Sequence, residues 1–324
     1  MVRRIGLVQL RQFRRAVAVA AFVGISLAPS GISALAQTSD DKAAASVDLG
    51  ARGGLAKQTP ASTVAPSDRQ ESSVEFSAGV GFATEYMYRG TTLSAHQPAV
   101  GAVFEAAFNH FYAGAGVTSV KLPSESAAEI AMSTGVRPKI GNVDLDLGWT
   151  YYLYPSGGTP PVGTTIDINY WEFVARADTN FGEALHIAAG SGFSPNYSNT
   201  GAWSNYTAFG VGFDLPRKSL PRDFSASLTG GAGYFWFGNQ SEALGGFPLP
   251  AYLNWNVGVT FSQKNVHFDL RYYDTNLSKE QCFVLTGDMN GGFGGRIDVV
   301  TNPEGRISNW CNATVVAKFS FALN

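Results

Sequence analysis

The sequence predicts an all-β fold: a transmembrane antiparallel β-barrel of about twelve strands, with short periplasmic turns and long extracellular loops. Three observations lead to this prediction. Only 15% of the 324 residues are charged, against about 25% in soluble proteins. Apolar and polar residues alternate along most of the chain after residue 73, and the links between the alternating runs differ regularly in length.

The alternation has a period of two, which indicates β-strands with one apolar and one polar face. In VEFSAGVGFATEYMYR, one face reads Val74, Phe76, Ala78, Val80, Phe82, Thr84, Tyr86 and Tyr88. The opposite face is small or charged and includes Glu75, Glu85 and Arg89. Similar runs recur about twelve times, and most are close to the roughly ten residues that a tilted strand needs to cross a bilayer.

The links separate the barrel from its alternative, a secreted β-sandwich. Short links are expected at 109–110, 139–142 and 262–265, with moderately short ones near 178 and at 215–223. Longer links are expected at 90–98, 155–167, 196–204, 238–250 and 274–311. Short periplasmic turns that alternate with long outer loops are typical of outer-membrane barrels. A sandwich has no reason to separate its loops by length.

A barrel in lipid turns its apolar face outward and keeps its polar face in the lumen. Aromatic residues of the apolar parity gather near the strand ends and predict two interfacial girdles. The girdle near the long loops would contain Tyr86, Tyr88, Tyr151, Trp236 and Tyr272. The girdle near the short turns would contain Phe108, Phe111, Phe224 and Phe268.

The N-terminal region predicts export. Arginines precede the apolar run AVAVAAFVGISLA, which leads to the small-residue site ALA at 34–36, as in a cleaved secretory signal. A membrane anchor, the alternative, needs about 18 apolar residues, and this run is shorter. We therefore expect a signal peptide at 1–36, a disordered periplasmic leader at 37–72 and an outer-membrane β-barrel at 73–324.

Several segments resemble the TorF family of bacterial outer-membrane proteins. They are TEYMYRG, PAVGAVFEAAFNHFYAGAGVTSV, LDLGWTYYLYPSG, YWEFVARA, FSPNY, GVGFDLP and YLNWNVGVTFSQKNVHFDLRYYDTNLS. The resemblance extends from Val74 to the C-terminus. It implies an outer-membrane barrel with an expected channel role, and it supplies no substrate and no functional residues. One departure is the terminal FSFALN: Asn324 replaces the usual final aromatic residue, which puts efficient insertion by the outer-membrane assembly machinery in doubt.

No enzyme motif is present, since the chain lacks a G-x-S-x-G elbow, an H-E-x-x-H pair and a P-loop. The four histidines are His96, His110, His186 and His267. The last two fall on the lumen parity, so a membrane-embedded hydrolase remains a minor alternative. The run GDMNGGFGG lacks the closing glutamate of a calcium loop. We expect no enzymatic activity, cofactor or metal ion.

The two cysteines, Cys282 and Cys311, lie in the longest link. An oxidising compartment favours a disulfide, with free thiols or metal ligands as alternatives. A bridge here would pin the last outer loop across the barrel mouth.

The lumen face supplies the candidate pore-lining residues: Glu85, Arg89, Glu105, Glu129, Arg137, Asp144, Asp146, Glu172, Arg176, Asp269, Arg271 and Lys318. With Glu75 included, inward acids modestly outnumber bases, which predicts a weak preference for cations. The alternative for each charge is a structural ion pair. Arg89 is expected at the outer mouth, with its partner on a neighbouring strand.

These observations predict a narrow porin-like channel for passive diffusion of small hydrophilic solutes. The main alternative is a closed barrel that acts through its extracellular loops as an adhesin, receptor or structural protein. The expected partners are the outer-membrane lipid bilayer, the assembly machinery and an unidentified solute, with no nucleic acid.

Overall fold

The structure, a computed structural model, describes residues 74–155, 167–182, 184–216, 220–221 and 223–323. The predicted signal peptide, the predicted leader and Asn324 lie outside the described residues. In chain order the strands are β1 (Glu75–Ala83), β2 (Met87–Tyr88), β3 (Thr91–Thr92), β4 (Ala99–Phe108), β5 (Phe111–Ser119), β6 (Ala128–Val136), β7 (Lys139–Ile140), β8 (Val143–Leu153), β9 (Tyr170–Phe181), β10 (Leu185–Ser194), β11 (Ser204–Asp214), β12 (Phe224–Phe237), β13 (Tyr252–Gln263), β14 (Val266–Thr275), β15 (Gly292–Phe293), β16 (Arg306–Ile307) and β17 (Thr314–Leu323). One α-helix, α1 (Lys279–Thr286), and two 3₁₀ turns, Tyr197–Asn199 and Glu242–Leu244, complete the described elements.

The long strands form one closed antiparallel barrel. Their order is β6-β5-β4-β1-β17-β14-β13-β12-β11-β10-β9-β8, and β6 also pairs with β8. The first and last strands pair with each other, from Ala78 opposite Leu323 to Ala83 opposite Lys318. The closed ring of 12 strands confirms the predicted fold class. Closure leaves no unpaired strand edge, as a bilayer requires.

The outer surface of the barrel is apolar. Phe76, Val100 and Phe209 have 64%, 59% and 55% of their surface exposed, and each lies on the parity predicted to face lipid. A soluble sandwich would bury such residues, because large exposed apolar patches are unfavourable in water. The exposed belt and the closed strand ring place this protein in the outer membrane.

The observed links follow the predicted alternation, with two differences. A further long link at 120–127 joins β5 to β6, and it was not predicted. The first long link begins at residue 84 rather than at 90, because β1 ends at Ala83. The strand ends joined by the six long links therefore lie at one end of the barrel, and the start of β1 and the end of β17 lie at the other.

The predicted girdles are confirmed in part. Trp236, Phe108, Phe111 and Phe224 lie outside the barrel with 38 to 64% of their surface exposed, as does Phe268 with 39%. Tyr151 and Tyr272 are half-buried. The prediction that Tyr86 and Tyr88 belong to the girdle near the long loops is wrong, since they are 3% and 0% exposed and lie inside the barrel.

The chain turns inward after Ala83. β2 and β3 form a small hairpin in which Met87 pairs with Thr92 and Tyr88 with Thr91. The two turn residues, Arg89 and Gly90, have φ angles of 46° and 85°. Positive φ at both positions is the type I′ geometry that tight hairpins favour. We refer to residues 84–98 as the inserted segment.

The last long link contains α1 and the disulfide. Ser278 caps the helix by accepting a hydrogen bond from the backbone N–H of Gln281, whose side chain accepts one in return from the Ser278 backbone. Gly287 ends the helix with a φ of 59°. Cys282 on α1 is bonded to Cys311, as predicted from the compartment. Across the described residues, no helix combines the length and the apolarity that a bilayer crossing requires.

Candidate functional site in the barrel lumen

Residues 85–94 of the inserted segment are buried inside the lumen, and three hydrogen bonds to the backbone of the segment hold it there. The Thr92 N–H donates to the Trp310 carbonyl at 2.9 Å, and the Lys121 N–H donates to the Leu93 carbonyl at 2.8 Å. The Tyr252 hydroxyl on β13 donates to the Arg89 carbonyl at 3.0 Å. The segment is therefore attached to the wall and to two other outer loops.

Arg89, at the turn of the inserted segment, contacts a carboxylate and three aromatic rings. Its two terminal nitrogens donate to the two carboxylate oxygens of Glu172 on β9, both at 3.0 Å. Both side chains are 0% exposed. The guanidinium carbon lies 4.4 Å from the ring centroid of Tyr206 and 4.5 Å from those of Tyr88 and Phe235. A planar guanidinium suits both a bidentate carboxylate and aromatic faces.

This arrangement differs from the predicted one. Glu172 belongs to β9, which is separated from β1 by four other strands along the ring, so the partner of Arg89 is not on a neighbouring strand. Glu85 and Arg89 belong to the inserted segment and not to the lumen face of β1. The physical reason is the bend after Ala83, which carries both side chains away from the wall.

Aromatic side chains fill the outer part of the lumen around Arg89. Tyr152, Tyr170, Tyr197, Tyr206, Phe235 and Tyr252 are each 0 to 2% exposed. Their rings contact one another, for example Tyr152 with Tyr170 at 4.7 Å and Tyr206 with Phe235 at 5.4 Å between centroids. Such exposures mean that water does not reach these rings. The outer half of the lumen is packed like a protein core.

The other candidates of the outer half are also paired. Glu85 accepts a hydrogen bond from the Thr314 hydroxyl at 3.1 Å and lies 2.7 Å from Nδ1 of His96. Glu129 accepts a hydrogen bond from the Tyr154 hydroxyl at 2.9 Å.

The Glu85–His96 pair lies in the inserted segment, where both residues titrate differently from free side chains. The hydrogen bond to Glu85 raises the pKa of His96, and partial burial opposes this effect. Burial alone would raise the pKa of Glu85, but hydrogen bonds from His96, Thr92 and Thr314 outweigh it and leave the pKa lowered. With the pKa of Glu85 lowered and that of His96 raised, Glu85 is negatively charged and His96 is positively charged in mildly acidic solution.

The inner half of the lumen carries a network of charges. Arg137 donates to both oxygens of Glu105 at 2.7 and 2.9 Å and to Asp146 at 3.4 Å. The Tyr112 hydroxyl donates to Asp146 at 2.8 Å. Arg176 on β9 lies directly opposite Asp146 in the strand register. The Arg137 side chain is 20% exposed, so this network meets water.

The remaining candidates lie near the middle of the barrel or at its inner rim. Arg271 donates to Asp269, to Asn256 and to the Thr229 hydroxyl at 2.6 to 3.2 Å. The Lys318 ammonium donates to the Tyr273 hydroxyl at 2.9 Å. Asp144 pairs with Lys139 at 2.9 Å, and both side chains are more than half exposed.

The histidines on the lumen parity lie near the short turns and not at the outer rim. His186 contacts Asn180 and Asp214, and His267 contacts the Ser262 hydroxyl. Among the described residues, neither histidine hydrogen-bonds to both a serine and a carboxylate, as the hydrolase alternative requires. Within the described residues, no cluster of three or more His, Cys, Asp or Glu side chains is arranged to bind a metal ion.

The functional segment that sequence reasoning missed is the inserted one. Residues 84–89 keep the alternation of β1, so periodicity gives no sign that the strand has already ended at Ala83. The available signal is Gly90, because a glycine between Arg89 and two threonines is compatible with a two-residue turn.

The family model of a bacterial protein of unknown function, Gcw_chp, matches residues 67–292. The chain belongs to this family. The matched region contains strands β1 to β14, the inserted segment and Glu172. The matching family model does not have the TorF name, so the resemblance to the TorF family stays a prediction.

Solved structures similar to this Gcw_chp protein include outer-membrane porins. The KdgM porin is 8% identical, with a TM-score of 0.40, over 76% of this chain and 98% of that one. An outer-membrane channel from Pseudomonas putida F1 is 12% identical, with a TM-score of 0.41, over 80% and 100%. The NanC porin is 6% identical, with a TM-score of 0.41, over 77% and 100%. No curated protein sequence matches the chain.

Proposed function

We propose that this protein is a porin-like channel for small hydrophilic solutes, and that the inserted segment closes its lumen in the state described above. The main observation in support of this proposal is that the inserted segment, together with side chains of the wall, fills the outer lumen. Side chains nearly fill a barrel of about eight strands, and wider barrels leave interior space. With 12 strands, this wall encloses room that the inserted segment occupies, and a loop is an element that can move.

The composition of the inner half supports a hydrophilic path. Charged groups from β4, β8, β9, β14 and β17 face the lumen, among them Glu105, Asp146 and Asp269 as acids. Inward acids modestly outnumber inward bases, so we propose a weak preference for cations once the segment has moved. The resemblance to the TorF family agrees with a channel role.

A closed barrel that acts through its outer loops is the second candidate. The observation that favours it is the complete burial of Arg89 and Glu172, because removing one partner from a buried ion pair costs several kcal/mol. In that case the segment would be a permanent part of the core and not a gate.

Replacement of the inserted segment decides between the two. Ala83 and Ala99 lie directly opposite each other in the β1–β4 register, so an Asn-Gly turn can join them in place of residues 84–98. We expect this variant to conduct KCl steadily in planar bilayers, whereas the unaltered protein opens rarely. Heat-dependent migration in gels verifies that both barrels are folded.

Folded variant protein without conductance contradicts the channel and favours the closed barrel. The reversal potential of the variant in a KCl gradient tests the cation preference. A reversal potential that indicates anion selectivity contradicts that part of the proposal alone.

A further inference from the structure

The barrel wall forms a preformed site around the guanidinium of Arg89. Glu172 on β9 supplies the bidentate carboxylate, and Tyr206 on β11 and Phe235 on β12 supply two aromatic faces. The Tyr152 hydroxyl on β8 donates to Oε2 of Glu172 at 3.5 Å. None of these groups belongs to the inserted segment. They remain on the wall if the segment leaves.

Contacts within the wall, and not only those with Arg89, hold this site in place. The Tyr206 hydroxyl donates to Asn254 on β13 at 3.1 Å, and its ring crosses the backbone of β12 at Gly233, where a side chain would collide with it. At Gly192 on β10, an added Cβ atom would lie 3.1 Å from a terminal nitrogen of Arg89. Glycine thus leaves the room that the guanidinium occupies.

The chemistry of the site matches a guanidinium better than an ammonium. Two parallel N–H donors meet two carboxylate oxygens, and the flat cation lies against ring faces within the 6 Å range of cation–π contacts. An ammonium is a compact point charge that cannot make the bidentate contact and is more strongly hydrated. The hydroxyl of Tyr170, which is 2% exposed and stacks on Tyr152, has no hydrogen-bond partner among the described residues. It is a further buried polar group on the same strand and the same face as Glu172.

We propose that this wall site recognises guanidinium-bearing solutes, and that Arg89 is a tethered ligand which occupies the site in the closed state. The proposal rests on the channel function proposed above and assigns that channel a substrate class. A solute with a guanidinium group competes with Arg89 for Glu172, releases the inserted segment and opens the lumen. Because a tethered group acts at an effective concentration in the millimolar range, the free solute competes at about millimolar concentration.

The test uses the full barrel with Arg89→Ala, which leaves the wall site without its tethered ligand. Agmatine is the probe, and putrescine is its matched control because both carry two positive charges at neutral pH and only agmatine has a guanidinium. We expect calorimetry to show agmatine binding at least about tenfold tighter than putrescine. The double variant Arg89→Ala/Glu172→Gln is expected to lose this difference.

A site that serves only as a structural ion pair predicts a different result. Equal affinity for agmatine and putrescine, or a preference for agmatine that persists in the double variant, overturns the proposal. If Arg89→Ala conducts KCl but does not bind agmatine, guanidinium-bearing solutes are not the substrate class, and the channel function stands. If the single variant binds agmatine but neither it nor the Asn-Gly variant conducts, the channel function fails and the guanidinium site stands.

A second measurement does not depend on the folding of any variant. In bilayers that contain the unaltered protein, L-arginine is expected to raise the frequency of KCl openings several-fold over L-citrulline, which has nearly the same shape without the charge. Equal opening frequencies with the two amino acids overturn the proposed competition.

Discussion

The two halves of the lumen use the same residue types in opposite ways. On β9, Glu172 and Arg176 lie on the same face, four residues or roughly 13 Å apart. Glu172 is fully buried and binds one arginine from an inserted loop, whereas Arg176 is only partly buried and lies in the inner half, opposite Asp146. Charge in the outer half holds a loop inside the packed part of the lumen, whereas charge in the inner half is partly exposed to solvent. Whether an inward charged side chain is buried or exposed to solvent therefore depends on whether a loop fills the lumen beside it.

Loss of the buried carboxylate is expected to have the largest effect. Glu172→Ala leaves Arg89 charged and without its carboxylate inside the packed half, which costs about 3 to 5 kcal/mol of docking free energy. We expect the inserted segment to be released and trypsin to cleave after Arg89. Glu105→Ala is the matched control, because its partner Arg137 is partly exposed and keeps Asp146. Similar cleavage after Arg89 in both variants would contradict the difference between the halves.

Removal of the disulfide is expected to have the next largest effect. In the chain-entropy model, a bridge between residues 29 apart stabilises by about 3 to 4 kcal/mol. Cys282→Ser/Cys311→Ser should therefore loosen the last outer loop, and trypsin should cleave faster after Arg296 and Arg306. Cleavage after Arg89 should rise less, because the Arg89–Glu172 pair and the Tyr252 hydrogen bond attach the inserted segment to the barrel wall independently of this loop. Maleimide labelling of the denatured, unreduced protein would show instead that no bridge exists.

A smaller effect is expected from crowding the tip of the inserted segment. In Gly90→Ala, the new Cβ atom would lie 2.5 Å from a Thr275 methyl group, and the alanine would have to adopt a positive φ of 85°. The steric overlap and the backbone strain together cost about 1 to 3 kcal/mol. Gly141→Ala is the control, since its φ is 61° and nothing lies within 4 Å. Faster trypsin cleavage after Arg89 in the first variant only is the expected outcome. An equal change in both would assign the effect to backbone strain.

The smallest effect is a pH dependence of closure. The pKa of His96 is raised above its usual 6.5. The free energy by which charged His96 stabilises the closed state is therefore fully present below pH 6.5 and is lost as the pH rises through the raised pKa. The pKa of Glu85 is lowered below 4.5, so its contribution is lost only as the pH falls through that lower pKa. Closure should therefore weaken as the pH rises above 6.5 and passes through the raised pKa of His96, and KCl openings should become more frequent.

His96→Gln tests the origin of this pH dependence. Asp288 also favours the charged histidine, and the Asn309 backbone hydrogen-bonds to it, so Asp288→Asn should reduce the dependence without abolishing it. An unchanged profile of opening against pH in His96→Gln would place the titrating group elsewhere.

Much of the fold is predictable because alternation is a local property. Phe76, Val100 and Phe209 point outward as their parity predicts, and the disulfide follows from compartment and position. The inner charges Glu105, Asp146 and Asp269 are also inward as their parity predicts, although their pairing with Arg137 and Arg271 depends on strand register. Loop lengths separate the two ends of the barrel without any knowledge of packing.

The sequence by itself determined which strands cross the membrane, which face of each meets lipid and which end carries the long loops, because these depend on residues two positions apart or on turn length. Only the tertiary structure decided that residues 84–94, TEYMYRGTTLS, leave the wall and fill the outer lumen. The pair that holds it, Arg89 and Glu172, spans 83 residues of chain and is separated by four strands of the ring. A contact across the barrel depends on the space that closure creates, and no local pattern records that space.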